Sequence, residues 1–157
     1  MNNPSRLRAV LIGGSIAGVL DILFAITYNA VNGTAPVKLL QIVASGLLGK
    51  AAFDGGVPAA IVGLAGHFGM SYLWAALFMA AAVRLPPLVA KPAVAGPIFG
   101  ILVFFTMRLV VLPLSAFPFP IVFRPLSWGL DLLSHMFFFG LPIAFMAAKA
   151  LRAERRL

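Results

Sequence analysis

Five ionisable residues lie within long apolar stretches of this chain: Asp21, His67, Arg108, Asp131 and His135. Ionisable side chains are costly inside a bilayer, usually face the interior of a helix bundle and usually have a partner. Asp131 and His135 are four residues apart, so they share one helical face, where the carboxylate can orient the imidazole or hold its proton. The pair is typical either of a proton-handling or ligand-binding site or of a hydrogen bond that packs helices.

The depth of these side chains follows from their distance to the basic residues that end each apolar stretch. His67 lies about 25 Å along a helix from Arg84, and His135 lies about as far from Arg152. The same arithmetic places the other ionisable residues at nearly that depth. Since the hydrocarbon core is roughly 30 Å thick, we expect one polar layer in the outer half of the bilayer.

Arg108 carries the only positive charge deep inside an apolar stretch. Without a partner, placing this arginine inside the membrane would cost at least about 2.5–3.5 kcal/mol of free energy on insertion scales. We expect it to pair with Asp21 across the first and third spans, with Asp131 as the rival partner. If Asp131 binds Arg108, Asp21 is expected to meet His67, Tyr72 or the backbone of the segment that follows the first span.

His67 and Tyr72 lie in the second apolar stretch. His67 is flanked by small residues in GLAGHFGMS, a face open to another helix or to a ligand. A buried Tyr72 needs a hydrogen-bond partner, which His67 or Asp21 could supply. Because His67 and His135 have matching depths on separate helices, a bis-histidine haem is one alternative. No other cofactor, metal site or catalytic motif is indicated.

Four apolar stretches are long enough to span a bilayer, at about 9–29, 57–83, 93–112 and 126–148. Apolar residues make up 62% of the 157-residue chain and charged residues 10%, whereas a soluble domain carries about a quarter charged residues. The sequence therefore predicts a single all-α membrane domain over 1–157.

The segment 36–53 between the first two spans has an uncharged core that is too short to cross a bilayer. We expect a helix that lies in the interface or re-enters the membrane, and a fifth span is the alternative. Its notable residues are Gln41, Ser45, Gly46 and Gly49. The proline-rich stretch 113–125, between the third and fourth spans, is predicted to lie on the bundle or in the headgroup layer.

Glycine pairs mark one face of the first and third spans, Gly14 with Gly18 and Gly96 with Gly100. Such small-residue pairs let neighbouring helices approach closely. The second and fourth spans each carry a histidine 17 residues before an arginine. This weak similarity predicts two parallel helical hairpins, although alanine and phenylalanine runs could imitate it.

The net charge of +8 indicates a membrane orientation. With four spans the positive-inside rule puts both termini in the cytoplasm, with three cations outside and eight inside: Arg6, Arg8, Arg84, Lys91, Lys149, Arg152, Arg155 and Arg156. A fifth span would place the C-terminal cluster outside. No nucleic-acid-binding motif accompanies these charges, and cysteine is absent.

Two segments, PVKLLQIVASGLLGKAAFDGG (36–56) and GLAGHFGMSYLWAALF (63–78), resemble a group of small uncharacterised bacterial membrane proteins. The second half is loosely similar to YagU-type inner-membrane proteins. The resemblance implies a bacterial inner-membrane location and a four-span fold, and it assigns no activity.

The polar layer favours small-solute or proton-linked transport, by a homo-oligomer that could share one pathway between protomers. A structural or assembly partner in the membrane and a haem protein are the alternatives. No enzymatic activity is predicted.

Overall fold

The computed structural model describes residues 4–155, and every regular element in that range is helical. The predicted all-α fold is therefore confirmed. We number the helices α1 to α6: α1 (Pro4–Val31), α2 (Pro36–Leu48, continued by a 3-10 turn, Gly49–Phe53), α3 (Gly56–Arg84), α4 (Pro86–Ala90), α5 (Pro92–Leu114) and α6 (Pro125–Glu154).

Proline begins most of these helices. Pro36, Pro86, Pro92 and Pro125 each occupy one of the first two positions of α2, α4, α5 and α6. A missing amide hydrogen is harmless there, and the fixed φ of proline suits the first turn. The sequence thus sets the boundaries at which the chain changes direction.

Among residues 4–155, five helices are long and apolar enough to cross a membrane: Pro4–Val31, Pro36–Phe53, Gly56–Arg84, Pro92–Leu114 and Pro125–Glu154. Each of the four predicted spans falls inside one of them. The additional candidate, Pro36–Phe53, is the shortest and has a mean hydropathy of 1.2 against 2.2 for α1.

Contacts between α1 and α3 show that the two helices are antiparallel. Gly14 lies against Tyr72, and Gly18, one turn further along α1, lies against Phe68. The end of α1 and the beginning of α3 are therefore at the same end of the bundle. The intervening segment 36–53 therefore begins and ends at that end, and its helix α2 runs inward along α3, where Leu47 lies beside Gly66.

Helix α6 is also antiparallel to α1. Gly13 contacts Met146, and Arg6 pairs with Glu154 at 2.7 Å. We call the end of the bundle that holds Arg6, Arg84 and Glu154 the terminal face, and the opposite end the far face. Arg156, counted above among the inner cations, lies outside the described residues.

The segment 36–53 packs at the far face. Helix α2 crosses Gly63 of α3 so closely that an added β-carbon would overlap the Leu40 carbonyl oxygen. The proline-rich stretch after α5 returns over α2, where the Ala116 amide donates to the Gly46 carbonyl at 3.0 Å. That stretch therefore contacts the bundle, which is one of its two predicted placements.

The outward surface of the bundle is apolar. Leu23, Ile98, Leu109 and Leu126 are 53%, 61%, 58% and 73% exposed. A soluble monomer seldom exposes a continuous apolar surface of this kind. Exposed leucines and isoleucines on several candidate spans are what a surface that contacts lipid requires.

Candidate functional site

Asp21 lies in the interior of the bundle, on α1. Its residue is 8% exposed, and its carboxylate accepts a hydrogen bond of 2.8 Å from the Ser134 hydroxyl of α6. The Nδ1 atom of His135 lies 3.8 Å from the same carboxylate oxygen. Asp21 therefore faces α6, where a hydroxyl and an imidazole replace the water that the carboxylate loses.

His135 stands between two carboxylates. Its Nδ1 lies 2.9 Å from the Asp131 carbonyl oxygen and 3.3 Å from the Asp131 side chain. Since a carbonyl can only accept, Nδ1 carries the hydrogen. The rings of Phe104 and Phe139 pack at 5.6 and 5.9 Å between centroids and close the apolar sides of the imidazole.

Arg108 pairs with Asp131 through Nη2. Its guanidinium also lies 5.6 Å from the centre of the Phe104 ring and 5.3 Å from that of Trp128, within the range of cation–π contacts. Three side chains thus compensate this charge between α5 and α6. About a quarter of each charged side chain of the pair remains exposed.

The expected Asp21–Arg108 pair is wrong. The rival Asp131 holds Arg108. The Asp21 carboxylate contacts Ser134 and His135, and none of its three expected alternative partners. The reason is rotational. The rise per residue gives the depth of a side chain along the helix axis, but it does not give the neighbouring helix that the side chain faces. In α5, Arg108 faces α6 rather than α1.

Five polar side chains connect α1, α5 and α6. Ser134, Asp21, His135, Asp131 and Arg108 form a continuous series of polar contacts across α1, α6 and α5. We call these five residues the polar network. With His135 protonated its charges balance, because two cations face two carboxylates.

Two π-helical segments position the network. One covers Met107–Val111 in α5 and includes Arg108, and the other covers His135–Gly140 in α6 and begins at His135. Each ends two residues before a proline, Pro113 or Pro142. A proline inside a helix removes one hydrogen bond and crowds the carbonyl four residues earlier, and a wider π turn relieves this within a span.

His67 and Tyr72 lie outside the polar network, in a second seam between α1 and α3. His67 Nε2 donates to the Gly18 carbonyl at 2.9 Å. The Tyr72 hydroxyl bonds to Ser15 at 3.0 Å, not to His67 or Asp21 as expected. The single predicted layer is thus two separate groups of contacts that share α1.

Both glycine pairs lie at helix contacts. Gly14 and Gly18 face α3. Gly96 and Gly100 face α6, where an added β-carbon on Gly100 would overlap the His135 carbonyl oxygen. The second glycine of each pair therefore meets a turn that carries a histidine. Gly18 of α1 meets His67 of α3, and Gly100 of α5 meets His135 of α6.

The polar residues of α2 hold the segment 36–53 in place. The Gln41 amide donates to the Gly56 carbonyl at 3.1 Å, and the Ser45 hydroxyl returns to the Ile42 carbonyl at 2.7 Å. Gly49 ends α2 with φ of +58°, a conformation suited to glycine. Gly46 supplies the carbonyl that receives the proline-rich stretch.

The two histidines differ in which nitrogen remains for a ligand. His67 donates through Nε2 and His135 through Nδ1, so an axial haem ligand would use Nδ1 of the first and Nε2 of the second. The haem alternative stays a prediction. Residues 4–155 contain no group of three histidine, cysteine or acidic side chains close enough to hold a metal ion.

Serine hydroxyls are the site residues that the sequence did not reveal. Ser134 precedes His135 in the chain and donates its hydroxyl hydrogen to Asp21. Ser71 donates to the Gly14 carbonyl at 2.6 Å, and Ser15 binds Tyr72. The available signal was that each serine lies within a span, where a hydroxyl needs a partner.

Comparison of the chain with known protein families, with curated proteins and with solved structures found no match. The resemblance to small bacterial membrane proteins therefore stays a prediction from the quoted segments.

Proposed function

We propose that this chain is a bacterial inner-membrane protein that moves a proton, alone or with a small solute, through the polar network. The observation that carries the proposal is His135 between the carboxylates of Asp21 and Asp131. An imidazole exchanges protons near neutral pH, and charged groups inside spans commonly belong to ion or substrate pathways.

The proposed topology has four spans, α1, α3, α5 and α6, with both termini in the cytoplasm. Segment 36–53 enters the outer half of the membrane and returns. The antiparallel contacts of α1 with α3 support this arrangement, because they bring both ends of the segment to the far face. The positive-inside rule supports the orientation.

In the proposed mechanism, the proton resides on His135 and its position depends on the two carboxylates. Asp21, fixed by Ser134, stabilises the imidazolium from α1. Asp131 stabilises it from within α6 and is held in turn by Arg108. Movement of the wide π turn at His135 would alter the distance to Asp21 and so change the affinity for the proton.

Four spans are few for an enclosed path, so we propose that copies of the chain associate. The Arg108–Asp131 pair is about a quarter exposed. That open side of the network is where a second copy or water would complete the route.

Proton flux into liposomes tests the proposal. Purified protein is reconstituted with a pH dye inside, and a potassium diffusion potential drives protons inward. We expect wild-type vesicles to acidify several-fold faster than empty ones and His135→Gln vesicles to match the empty ones.

The matched control is His67→Gln, the same substitution on the other histidine. Its amide can still donate to the Gly18 carbonyl, and the polar network is untouched, so flux should stay at the wild-type rate. Equal flux in wild-type and empty vesicles, or in His135→Gln and wild-type vesicles, would overturn the proposal.

A structural or assembly role is the second candidate, because every member of the polar network has a partner. A network that only fixes helix contacts would lower stability when changed and would carry no protons. Wild-type vesicles without flux, combined with a marked loss of thermal stability in His135→Gln, would favour this candidate.

A further inference from the structure

A basic groove opens at the terminal face, away from the polar network. It has a volume of about 560 Å³ and lies between α4 and the end of α6. Lys91, Arg152 and Arg155 supply its charge, while Pro86, Pro87 and Val89 supply apolar walls. Three cations around a mainly apolar groove suit a ligand with an anionic head and an apolar body.

A second groove of about 380 Å³ adjoins the first at Arg152. It contains Phe145, Ala148 and Lys149 and follows α6 towards the middle of the bundle. Phe145 is 50% exposed. The two grooves share Arg152, and the second extends beside the exposed Phe145 side chain on the surface of α6.

The cations of the groove have no carboxylate partner among residues 4–155. The nearby acid Glu154 accepts three bonds from Arg6 and one from Ser5, and the other acids lie in the spans or at the far face. Positive charge at this groove is therefore uncompensated by the described chain, and it attracts an anion.

Arg152 is already oriented for such a ligand. Its Nη2 atom donates to the carbonyls of Val89 and Ala90 at 2.7 and 3.1 Å, which fixes the guanidinium over the end of α4. An arginine has five donors, so other N–H groups remain. Fixing the side chain beforehand reduces the entropy lost on binding.

We infer that this groove binds an anionic phospholipid. The phosphate lies among Lys91, Arg152 and Arg155, and an acyl chain follows Phe145 along α6. Free phosphate would share the cationic contacts but would leave the apolar path empty, so the lipid is the better match. The inference rests on the membrane location of the chain and not on proton transport.

Lipid titration with native mass spectrometry tests this inference. Detergent-solubilised protein is titrated with phosphatidylglycerol and with phosphatidylcholine of the same acyl chains. Each juxtamembrane cation is worth roughly 1 kcal/mol towards an anionic lipid. We therefore expect Lys91→Gln with Arg155→Gln to weaken phosphatidylglycerol binding about 30-fold.

The matched control is Arg8→Gln with Arg84→Gln, which removes the same charge from the same face but not from the groove. It should bind phosphatidylglycerol as the wild type does. Equal weakening in both double variants would overturn the inference, as would wild-type protein that holds phosphatidylcholine as tightly.

Competition with inorganic phosphate is a second test of the lipid assignment, and it needs only the wild-type protein. We expect millimolar phosphate to leave phosphatidylglycerol bound, because it cannot occupy the apolar path. Complete displacement at that concentration would assign the groove to a free anion and overturn the lipid assignment.

Discussion

Arg108 shows how one charge is accommodated within a span. Asp131 neutralises it, and the Phe104 and Trp128 rings lie within cation–π range of its guanidinium. The Trp128 indole is itself fixed by a bond of 3.1 Å to the Val122 carbonyl. These contacts orient the guanidinium, and they make its carboxylate partner the residue whose loss matters most.

Asp131→Asn should therefore lower the stability of the protein. The change leaves Arg108 without a counter-charge, which costs up to about 2.5–3.5 kcal/mol on insertion scales. Partial exposure of the pair moderates this value. We expect a lower midpoint of thermal unfolding in detergent, and partial recovery when Arg108→Gln is added.

Asp54→Asn is the control for this measurement. Asp54 is exposed in the turn before α3, so the same substitution there should leave the midpoint unchanged. A double variant that unfolds no later than Asp131→Asn alone would contradict the prediction.

Asp21, Arg108, Asp131 and His135 could be selected from the sequence, because rare charges in apolar stretches stand out. Their pairing was not predictable. It depends on helix rotation, and the π segments before Pro113 and Pro142 change that rotation locally. Counting at 3.6 residues per turn fails across such segments.

Among the elements, the segment 36–53 departs most from a simple hairpin. Its length and hydropathy admit a crossing, whereas the antiparallel contacts of α1 and α3 return both of its ends to the far face. Lys38 lies 4.1 Å from the centre of the Phe53 ring, so the first and last turns of the segment are close together.

Single cysteines at Asn32 and Asp54 test whether the segment crosses. Both residues are exposed and flank it, and the chain has no native cysteine. A membrane-impermeant maleimide should label Asn32→Cys and Asp54→Cys from the same, outer side of intact cells.

Lys91→Cys serves as the control and should react only after the membrane is opened. Labelling of Asn32→Cys and Asp54→Cys from opposite sides would show that the segment is a fifth span. Sequence could define this segment but not its path, since the path depends on contacts with Gly63 and with the loop at Ala116, which are distant in the chain.

At the scale of the molecule, the two ends of the described chain meet. Arg6 makes three hydrogen bonds to Glu154, which joins the first turn of α1 to the last turn of α6. An even number of crossings is required to bring both ends to one face. The same arrangement forms the basic groove, because α4 ends beside the last turns of α6.

Reporter fusions test the side to which both ends belong. Fluorescent protein fused at either terminus should mature and fluoresce, as it does in the cytoplasm, and alkaline phosphatase at either terminus should be inactive. If the reporters placed the two termini on opposite sides of the membrane, the result would contradict the pairing of Arg6 with Glu154 at one face. The sequence predicts this orientation through its basic residues, but it does not reveal the groove that they line.

The bond between Ser134 and Asp21 has a consequence for synthesis. The partners are 113 residues apart, and a ribosome adds about 5–20 residues per second, so Asp21 exists for roughly 6–23 s before Ser134 and His135 are made. During that interval the first helix contains a carboxylate that lacks its final partners. We expect the nascent chain to keep this helix beside the insertion machinery until α6 arrives, so that α6 completes the environment of α1.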